Sequence, residues 1–435
     1  MSNPKVLIIN EAFNNHTGGG ITLSNLFSGW EKDKIAVICQ SYLLNGVDNS
    51  ICDTYYQLGH KERKFSFPLN LINNKHYSGI IDVDNNNATP AQNEAKPTLR
   101  SRLIMNYFYP ALKYLGLYHR ILSTGISSEL SEWLTNYNPD IIYAQAHDSE
   151  GVLLVLKIQQ HLKKPMVFHM MDDWPAIATG NKLLTRSKRK ADEYKFRELL
   201  NRSSVLMSIS HKMAEVYKVK YQKNFTTFHN PIDLEFWSRF QRNNYDLPKT
   251  PTLLYAGRVG LGIDSSLKLV AKAVQKTNTD LKVALRFVIQ TKQRPEWIDE
   301  FDCVDHKSFV SYEDLPKTFS EADFLILPYD FSEKSLQFIG YSMPTKATEY
   351  MISGSPVIVF APQETALVNY AEKENWAAVV TKNDPSALYN CLATLIKSKE
   401  KRVALASRAI EVATKNHSSQ AIKSQFNETL RSLIQ

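Results

Sequence analysis

Short apolar runs recur along the whole chain, and amphipathic stretches separate most of them. Runs of this kind, often β-branched and without clean alternation, are typical of strands buried on both faces of a parallel sheet. In the first half they are KVLIIN (5–10), KIAVICQ (34–40), DIIYAQ (140–145), PMVFHMM (165–171), SVLMSIS (204–210) and FTTFHN (225–230). In the second half they are TLLYAGRV (252–259), KVALRFVIQ (282–290), ADFLILPY (322–329), SPVIVFAP (355–362) and AAVVT (377–381). The rhythm of strand, helix and strand occurs twice, which predicts an α/β protein with two doubly wound domains.

The apolar runs of the first half are separated from those of the second half by the segment HNPIDLEFWSRFQRNNYDLPKTP. This segment has prolines, an Asn-rich patch and little strand character. A length of 435 residues also favours two domains over one. We therefore predict an N-terminal domain at 1–230, a linker at 231–249, a C-terminal domain at 250–415, and a C-terminal helix at 416–435 that could pack back on the N-terminal domain.

The net charge and the cysteine spacing limit the classes of function that this chain could have. The chain has 52 basic against 44 acidic residues, a net charge of +8, which suits an anionic partner such as a nucleotide, a phospholipid surface or nucleic acid. The four cysteines form no C-x-x-C pair, so no zinc knuckle or redox motif is predicted. The start, MSNPKVLIIN, lacks a signal-peptide pattern and no window of 18 residues is uniformly apolar, so a cytoplasmic location is expected.

Two neighbouring segments in the first half of the chain do not follow the alternation of predicted strands and helices. Residues 60–100 are polar, Asn-rich and proline-bearing, which predicts a long mobile insertion. Residues 100–118 mix aromatic with basic side chains, as stretches at a membrane interface do. The alternative for 100–118 is a helix packed on the N-terminal sheet, with its basic side chains reaching solvent.

Three glycines, Gly18 to Gly20, follow the first predicted strand and precede a helical pattern. Glycine lets the backbone approach a ligand closely, and a helix N-terminus favours negative charge. The spacing is neither G-x-G-x-x-G nor a Walker loop. The pattern therefore permits an open glycine loop but carries no dinucleotide fingerprint.

The first strand of the second domain ends in YAGRVGLGID, which places Arg258 at the carboxyl end of a parallel strand. Ligands of doubly wound sheets bind at such ends. An arginine there can form two hydrogen bonds with a diphosphate, and nearby glycines let the backbone bend around it. The alternative is a surface arginine at a strand end.

The segment SMPTKATEYM follows the buried strand ADFLILPY and predicts a second part of the same site. Ser342 is a plausible N-cap and Pro344 a first-turn residue. Lys346 would then add positive charge for phosphate, and Glu349 could accept hydrogen bonds from the two hydroxyls of a ribose. The alternative is that Lys346 and Glu349 form an ordinary helix pair.

Several segments in order along the chain resemble GT-B glycosyltransferases of glycosyltransferase family 4, the glycosyl transferases group 1. These segments are PDIIYAQAH (139–147), HMMDDWP (169–175), HNPID (229–233), YAGRV (255–259), EADFLILP (321–328) and SMPTKATEYMISGSPVI (342–358). The resemblance implies two Rossmann-like doubly wound domains facing a central cleft. In that fold the C-terminal domain binds a nucleotide-diphosphate sugar and the N-terminal domain binds the acceptor.

The resemblance also assigns residues. In the C-terminal domain, the donor residues would be Arg258 for the diphosphate, Glu349 for the ribose, the backbone of Phe309 and Val310 for the base, and Tyr341, Ser342 and Lys346 around them. In the N-terminal domain, His169 would reach the donor sugar, Asp172 and Asp173 would orient the acceptor or the imidazole, and the loop with Gly19 and Gly20 would close over the reacting centre. His147 is the second candidate for the histidine.

Two positions depart from the family pattern. Tyr341 stands where the family commonly has a glutamate, and Ile263 stands where it tends to have a lysine. Lys346 could supply the missing charge. The departures leave open a catalytically inactive sugar-nucleotide-binding protein of the same fold.

The predicted function is transfer of a sugar from a nucleotide-diphosphate sugar to an acceptor hydroxyl. By resemblance it would be retaining, without metal or other cofactor, in bacterial cell-surface polysaccharide biosynthesis (capsule, O-antigen or exopolysaccharide). The acceptor would be a saccharide or lipid-linked saccharide, with peripheral contact at the cytoplasmic face of the inner membrane and no nucleic acid. Asp82 and Asp84 form a D-x-D that we interpret as a chance match. A Rossmann oxidoreductase or epimerase and a basic nucleic-acid-binding protein are the competing classes.

Overall fold

The computed structural model describes residues 3–65, 76–82, 103–114, 122–176, 185–260 and 262–434. The chain divides into two compact units. Unit 1 comprises residues 1–208, 216–226 and 425–435, and unit 2 comprises residues 209–215 and 227–424. Both units have a mixed α/β architecture built on a parallel sheet, as the sequence predicts.

The main sheet of unit 1 has eight strands in the order β10-β9-β8-β7-β1-β2-β3-β5. The strands of unit 1 are β1 (Val6–Ile9), β2 (Ile35–Gln40), β3 (Tyr55–Leu58), β4 (Arg63–Phe65), β5 (Gly79–Ile81), β6 (Leu122–Thr124), β7 (Ile141–Ala144), β8 (Met166–Met170), β9 (Val205–Ser208) and β10 (Thr226–Thr227), the last at the unit boundary. The pairs from β3 to β9 are parallel, β5 runs antiparallel to β3, and β4 and β6 form a separate antiparallel pair. Strands β1, β7 and β8 are buried along their whole length, which explains their continuous apolar runs.

Six helices accompany these strands among the described residues. They are α1 (Gly18–Phe27), α2 (Tyr109–Tyr114, preceded by a π-helical turn at Ile104–Phe108), α3 (Ser128–Tyr137), α4 (Ser149–Leu162), α5 (Arg186–Arg202) and α6 (His211–Tyr221), which begins in unit 2. Phe27 of α1 packs its ring edge-on against Phe13, Tyr143 and Phe426. Phe426 is fully buried, so the last residues of the chain belong to the core of unit 1.

Unit 2 has a six-stranded, all-parallel sheet in the order β13-β12-β11-β14-β15-β16. Its strands are β11 (Thr252–Ala256), β12 (Arg286–Gln290), β13 (Val304–Lys307), β14 (Phe324–Pro328), β15 (Val357–Phe360) and β16 (Ala378–Val380). Counted from β11, this order is 3-2-1-4-5-6, the Rossmann order.

The helices of unit 2 enclose one apolar core with this sheet. They are α7 (Leu234–Ser238), α8 (Asp264–Leu281), α9 (Leu315–Glu321), α10 (Glu333–Ile339), α11 (Lys346–Ile352), α12 (Ala366–Glu374), α13 (Pro385–Lys397), α14 (Lys399–His417) and α15 (Ser419–Arg431), whose last turns belong to unit 1.

The segment predicted as a linker, 231–249, lies within unit 2 and packs on its core. Trp237 of α7 is 1% exposed and stacks on Phe319 with ring centroids 5.7 Å apart. Arg242 forms a buried ion pair with Asp323 (2.7 Å) and donates further hydrogen bonds to the carbonyls that precede β14. This segment is therefore anchored to unit 2 through Trp237 and Arg242.

Part of the predicted insertion, 60–100, is regular structure. Strand β4 pairs with β6, and β5 forms the antiparallel edge of the main sheet. The rest of that segment, 66–75 and 83–100, lies outside the described residues. In the part of the chain that the structure covers, no helix is both long and apolar enough to cross a bilayer.

Candidate functional site

The sheet of unit 2 reverses its strand order between β11 and β14, and the carboxyl ends of these strands define the expected ligand position. Arg258 follows β11 and is exposed, with its guanidinium 5.6 Å from the centroid of the Phe338 ring. The Tyr255 hydroxyl donates to the Arg258 carbonyl at 2.6 Å and fixes the backbone there. Gly260 and Gly262 have φ of +112° and +88°, which lets the loop turn sharply into α8.

Lys346 and Glu349 lie on the first turn of α11. Glu349 is only 4% exposed, and its carboxylate makes no hydrogen bond to any described residue. Burial raises the pKa of Glu349, and the positive charge of Lys346 offsets part of that rise. A buried carboxylate with unused acceptor capacity is suited to bind hydroxyl donors of a ligand.

The ammonium of Lys346 interacts electrostatically with both Arg258 and Glu349. A Cβ built on Gly257 would lie 3.0 Å from Lys346 Nζ, so the ammonium lies against the backbone that precedes Arg258. Burial lowers the pKa of Lys346, Glu349 opposes this, and the charge of Arg258 adds to the lowering. The structure therefore brings these three predicted donor residues together at one end of the sheet.

The predicted N-cap of this helix is wrong. Helix α11 begins at Lys346, and the Ser342 amide instead donates to the Ile339 carbonyl at 3.3 Å. Ser342 is buried, and the Tyr341 carbonyl before it accepts from the Ser210 hydroxyl at 2.6 Å. Contacts from distant parts of the chain, and not a local cap, hold the segment that enters α11.

Phe309 and Val310, predicted to border the base, follow β13 and are 53% and 36% exposed. Tyr312, two residues farther, stacks on Phe236 with ring centroids 5.2 Å apart. Burial raises the pKa of Tyr312, and the negative charge of Glu349 adds to the rise. The loop that carries the two exposed apolar residues thus continues towards Glu349.

Unit 1 has its own reversal of strand order, between β1 and β7. Glu11 follows β1 and His147 follows β7, and His147 Nε2 lies 3.8 Å from Glu11 Oε2 and 3.2 Å from the Asn10 carbonyl oxygen. Burial raises the pKa of Glu11, His147 opposes this rise, and Asp172 after β8 adds to it. Glu11, His147 and Asp172 therefore form one polar group, which we call the unit 1 cluster.

The predicted glycine loop is a helix. Gly18 to Gly20 form the first turn of α1, which Thr17 caps by accepting from the Gly20 amide at 3.1 Å. A Cβ at Gly19 would lie 2.2 Å from Glu11 Oε2, and one at Gly20 would lie 2.1 Å from Asn14 Nδ2. Glycine is needed here because α1 begins directly against the unit 1 cluster.

His169 and Asp173, two of the predicted catalytic residues, are buried. His169 is 1% exposed, and its Nδ1 lies 2.6 Å from the Tyr143 hydroxyl. Burial lowers the pKa of His169 to about 3, so the imidazole is neutral near pH 7. Asp173 accepts from the Tyr217 hydroxyl at 2.6 Å, and burial raises its pKa.

Sequence reasoning missed Glu11 and ranked His147 second. The available signal was a charged residue directly after a buried strand, in NEAFNN, which by itself is weak. Among the described residues no group of three His, Cys, Asp or Glu side chains is arranged to hold a metal ion. Of the D-x-D motif, Asp82 is described and Asp84 lies outside the described residues.

Residues 250–398 match the family model of glycosyl transferases group 1. No curated protein sequence matches the chain. Solved structures of similar fold include Anabaena Alr3699/HepE in complex with UDP and glucose, at 12% identity and a TM-score of 0.59, covering 99% of this chain and 100% of the other.

Two other structures of similar fold have different descriptions. WaaG, a glycosyltransferase involved in lipopolysaccharide biosynthesis, is 13% identical with a TM-score of 0.58, covering 98% of this chain and 99% of the other. A proposed UDP-N-acetylglucosamine 2-epimerase from Listeria monocytogenes is 11% identical with a TM-score of 0.53, covering 99% and 96%. At such identities the likeness shows the fold alone, so the family match identifies the transferase class. The chain therefore has the GT-B fold and carries a glycosyl transferases group 1 domain at residues 250–398, which confirms the predicted family resemblance and the predicted class of transferase.

Proposed function

We propose that this protein transfers a sugar from a nucleotide-diphosphate sugar to an acceptor hydroxyl. The proposal rests on one observation. Arg258, Lys346 and Glu349 lie close together at the point where the strand order of unit 2 reverses. Two cations beside a buried carboxylate match the charges of a nucleoside diphosphate, which is anionic at the phosphates and offers hydroxyl donors at the ribose.

The same residues would stabilise the leaving group. As the sugar–phosphate bond breaks, negative charge grows on the diphosphate, and cations already in place stabilise it without reorganisation. Arg258 would hold the diphosphate through two hydrogen bonds, and Lys346 would act as a point charge. Glu349 would accept from the ribose hydroxyls, while exposed Phe309 and Val310 would contact the base. By resemblance we expect retention of configuration and no metal.

We propose uridine diphosphate as the carrier to test first. Alr3699/HepE has been solved with UDP and glucose, and its fold matches nearly the whole of this chain. The sugar itself is left to experiment.

In unit 1 we propose a functional role for the unit 1 cluster. The His147 side chain is 37% exposed, and its Nε2 lies 3.8 Å from the buried carboxylate of Glu11, so the imidazole can meet a substrate and donate or accept a proton. His169 has neither property, since it is buried and its pKa is lowered. His169 would then position strand β8 and Asp172 through its contact with Tyr143.

The acceptor proposal rests on the helix at 103–114. Leu103, Tyr107 and Phe108 are 53%, 71% and 40% exposed, and together with Ile104 they line an apolar depression of about 420 Å³. Apolar side chains exposed together are typical of surfaces that meet a lipid or a partner. We propose a lipid-linked saccharide acceptor at the cytoplasmic face of the inner membrane, in bacterial cell-surface polysaccharide synthesis. WaaG, of similar fold, is described as involved in lipopolysaccharide biosynthesis.

A panel of nucleotides tests the donor assignment. Because a ligand that binds the native state raises its melting temperature, the correct diphosphate should raise it while the matching monophosphate raises it less. Arg258→Ala should remove this response and leave the circular dichroism spectrum unchanged. A response of Arg258→Ala equal to that of the wild type would overturn the assignment.

A second candidate is a sugar-nucleotide-binding protein without turnover. It is favoured by Tyr341 and by Ile263, which is 6% exposed and places no charge beside the diphosphate. Mass spectrometry of donor incubated with acceptor extracts separates the two, because binding without any new glycoside would favour this candidate.

A further inference from the structure

The two ring nitrogens of His147, in the unit 1 cluster, have different surroundings. Nε2 lies 3.2 Å from the Asn10 carbonyl oxygen and 3.8 Å from Glu11 Oε2. The side chain is 37% exposed, and Nδ1 makes no hydrogen bond to any residue that the structure describes. Because the groups around a neutral imidazole decide which nitrogen holds its proton, this difference has a chemical consequence.

Both groups beside Nε2 favour a proton on that nitrogen. A backbone carbonyl oxygen can only accept, so the contact of 3.2 Å with Asn10 is a hydrogen bond only when Nε2 is protonated. The Glu11 carboxyl group, at 3.8 Å, is too distant to donate to Nε2 even in its protonated form. A neutral His147 therefore has its proton on Nε2 and its lone pair on Nδ1.

The carbonyl that accepts this proton belongs to a residue with an uncommon backbone conformation. Asn10 directly follows β1 and has φ of +70°, in the left-handed region that asparagine tolerates better than most residues do. Its amide donates to the Ile38 carbonyl at 2.9 Å, which continues the pairing of β1 with β2. The chain therefore turns at Asn10 itself, and this turn brings its carbonyl to the imidazole.

The side chain of Asn10 holds the segment around His147. Its Nδ2 donates to the Gln145 carbonyl at 2.9 Å and lies 3.4 Å from the Gly151 carbonyl, so it joins the end of β7 to the first turn of α4. A Cβ at Gly151 would lie 3.0 Å from Nδ2, so glycine leaves room for the amide there. One buried residue thus contacts the chain before His147, the imidazole itself and the chain after it.

Glu11 is held in place beside the same nitrogen. Its Oε1 accepts from the Ala12 amide at 3.1 Å, and a Cβ at Gly19 would overlap Oε2, so the start of α1 covers the carboxylate. An ionised carboxylate near an imidazole favours the protonated ring. Glu11 can therefore stabilise the charge that appears on His147 when Nδ1 accepts a second proton.

We propose that Asn10 is a positioning residue, which fixes the proton of neutral His147 on Nε2 and so offers the Nδ1 lone pair to an acceptor hydroxyl. The use of Nδ1 in transfer rests on the proposed function, whereas the place of the proton rests on the structure of unit 1 alone. Replacing Asn10 should therefore change the imidazole and leave unchanged the residues of unit 2 that would hold UDP.

Nuclear magnetic resonance of the full-length protein, with ¹⁵N in its 11 histidines, tests the place of the proton. At alkaline pH, where imidazoles are neutral, we expect His147 to show an Nε2–H that exchanges slowly with water and an Nδ1 without a proton. The variant His147→Asn identifies this signal, because the signal should be absent from its spectrum. A proton on Nδ1, or an Nε2–H that exchanges as fast as that of free imidazole, would overturn the proposal.

Two variants that both lack the side-chain amide test the backbone conformation. Glycine can keep φ of +70° and alanine disfavours it, so the slowly exchanging proton should persist in Asn10→Gly and be lost in Asn10→Ala. Asn138, exposed after α3 with φ of +44°, gives the matched control, because Asn138→Ala introduces similar backbone strain outside the segment that holds His147. A folded Asn10→Ala with the wild-type signal, or loss of the signal in Asn10→Gly, would contradict this role of the backbone.

A transfer assay separates this inference from the proposed function. With UDP release from UDP-glucose and acceptor extract as the assay, Asn10→Ala should lower kcat at least about tenfold, while its UDP affinity and the kcat of Asn138→Ala stay unchanged. If the wild type releases no UDP, transfer from UDP-glucose is refuted, and the spectrum alone decides the place of the proton. A wild-type kcat in an Asn10→Ala variant that has lost the Nε2–H signal would refute the use of Nδ1.

Discussion

Replacing Glu349 by glutamine tests the donor site with little change in shape. The carboxylate is 4% exposed and has no hydrogen-bond partner among the described residues, so ribose hydroxyls would be its main donors. A hydrogen bond to a charged group contributes about 1.5–3 kcal/mol, and one to a neutral group about 0.5–1.5 kcal/mol. In Glu349→Gln one bond of about 1.5–3 kcal/mol is lost and the other weakens by about 1–1.5 kcal/mol, a total of about 2.5–4.5 kcal/mol, or roughly 70- to 2,000-fold in Kd.

The same substitution should not harm the fold. The pKa of Glu349 is raised in the folded state, so its favourable contribution is present below the unfolded pKa and is lost as pH rises through the folded pKa. At about pH 8 a neutral glutamine should therefore be at least as stable as the ionised carboxylate. Calorimetric titration with UDP and a thermal melt measure the two effects, with exposed Glu364→Gln as the control.

Donor affinity should also depend on pH through this residue. Only the ionised carboxylate accepts two hydroxyls, so affinity for a nucleotide-diphosphate sugar should fall as pH is lowered through the raised pKa of Glu349, and Glu349→Gln should remove this dependence. A Glu349→Gln variant that binds UDP as tightly as the wild type would show that the ribose is held elsewhere, and the reasoning would fail.

Three other predictions concern ionisable side chains. Burial lowers the pKa of His417 to about 3, so its stabilising contribution is lost as pH falls below about 6.5, and His417→Gln should flatten the acid loss of stability by about 1.4 kcal/mol per pH unit in equilibrium unfolding. Arg242→Met should cost about 3 kcal/mol in denaturant unfolding because it leaves Asp323 buried without its cation; equal stability would show that the pair is solvated. His147→Asn should lower kcat without changing UDP affinity, whereas His169→Asn should mainly lower the melting temperature; slow transfer at an unchanged melting temperature in His169→Asn would restore the role that the sequence assigned to it.

Much of the sheet architecture could be predicted because its strands are locally encoded. Each apolar run of the second half contains a strand of the six-stranded sheet. The strand that the sequence did not predict is β13 (Val304–Lys307). It is an edge strand that pairs on one side only, and its sequence VDHK has no apolar run. In unit 1 the missed strands β3, β4, β5 and β6 are likewise short or peripheral.

The position of a site residue could be predicted from the sequence where the residue directly follows a strand. It could not be predicted where contacts with distant parts of the chain determine the position. Arg258 needs only the end of β11 for its position, so a local pattern was sufficient. The start of α11 depends on Ser210 and Asn230, whose side chains bond the carbonyls of Tyr341 and Thr345 across more than a hundred residues. No spacing within SMPTK shows those contacts, and the predicted cap at Ser342 was wrong for this reason.

The structure gives a physical reason for Ile263, which stands where the family pattern tends to have a lysine. Ile263 is 6% exposed and packs in the core of unit 2, where a lysine would have to bury its ammonium at a large cost. Lys346 lies instead beside the backbone of Gly257, close enough to Arg258 for each charge to disfavour the other. The charge of Glu349 offsets part of that repulsion, and a diphosphate bound there would relieve the rest. Lys346 on α11 would then supply the cation that the family pattern places in the loop after β11. Lys346→Met should then weaken UDP binding about as much as Arg258→Ala does, and Ile263→Lys should not rescue it, because a buried lysine at 263 would be neutral.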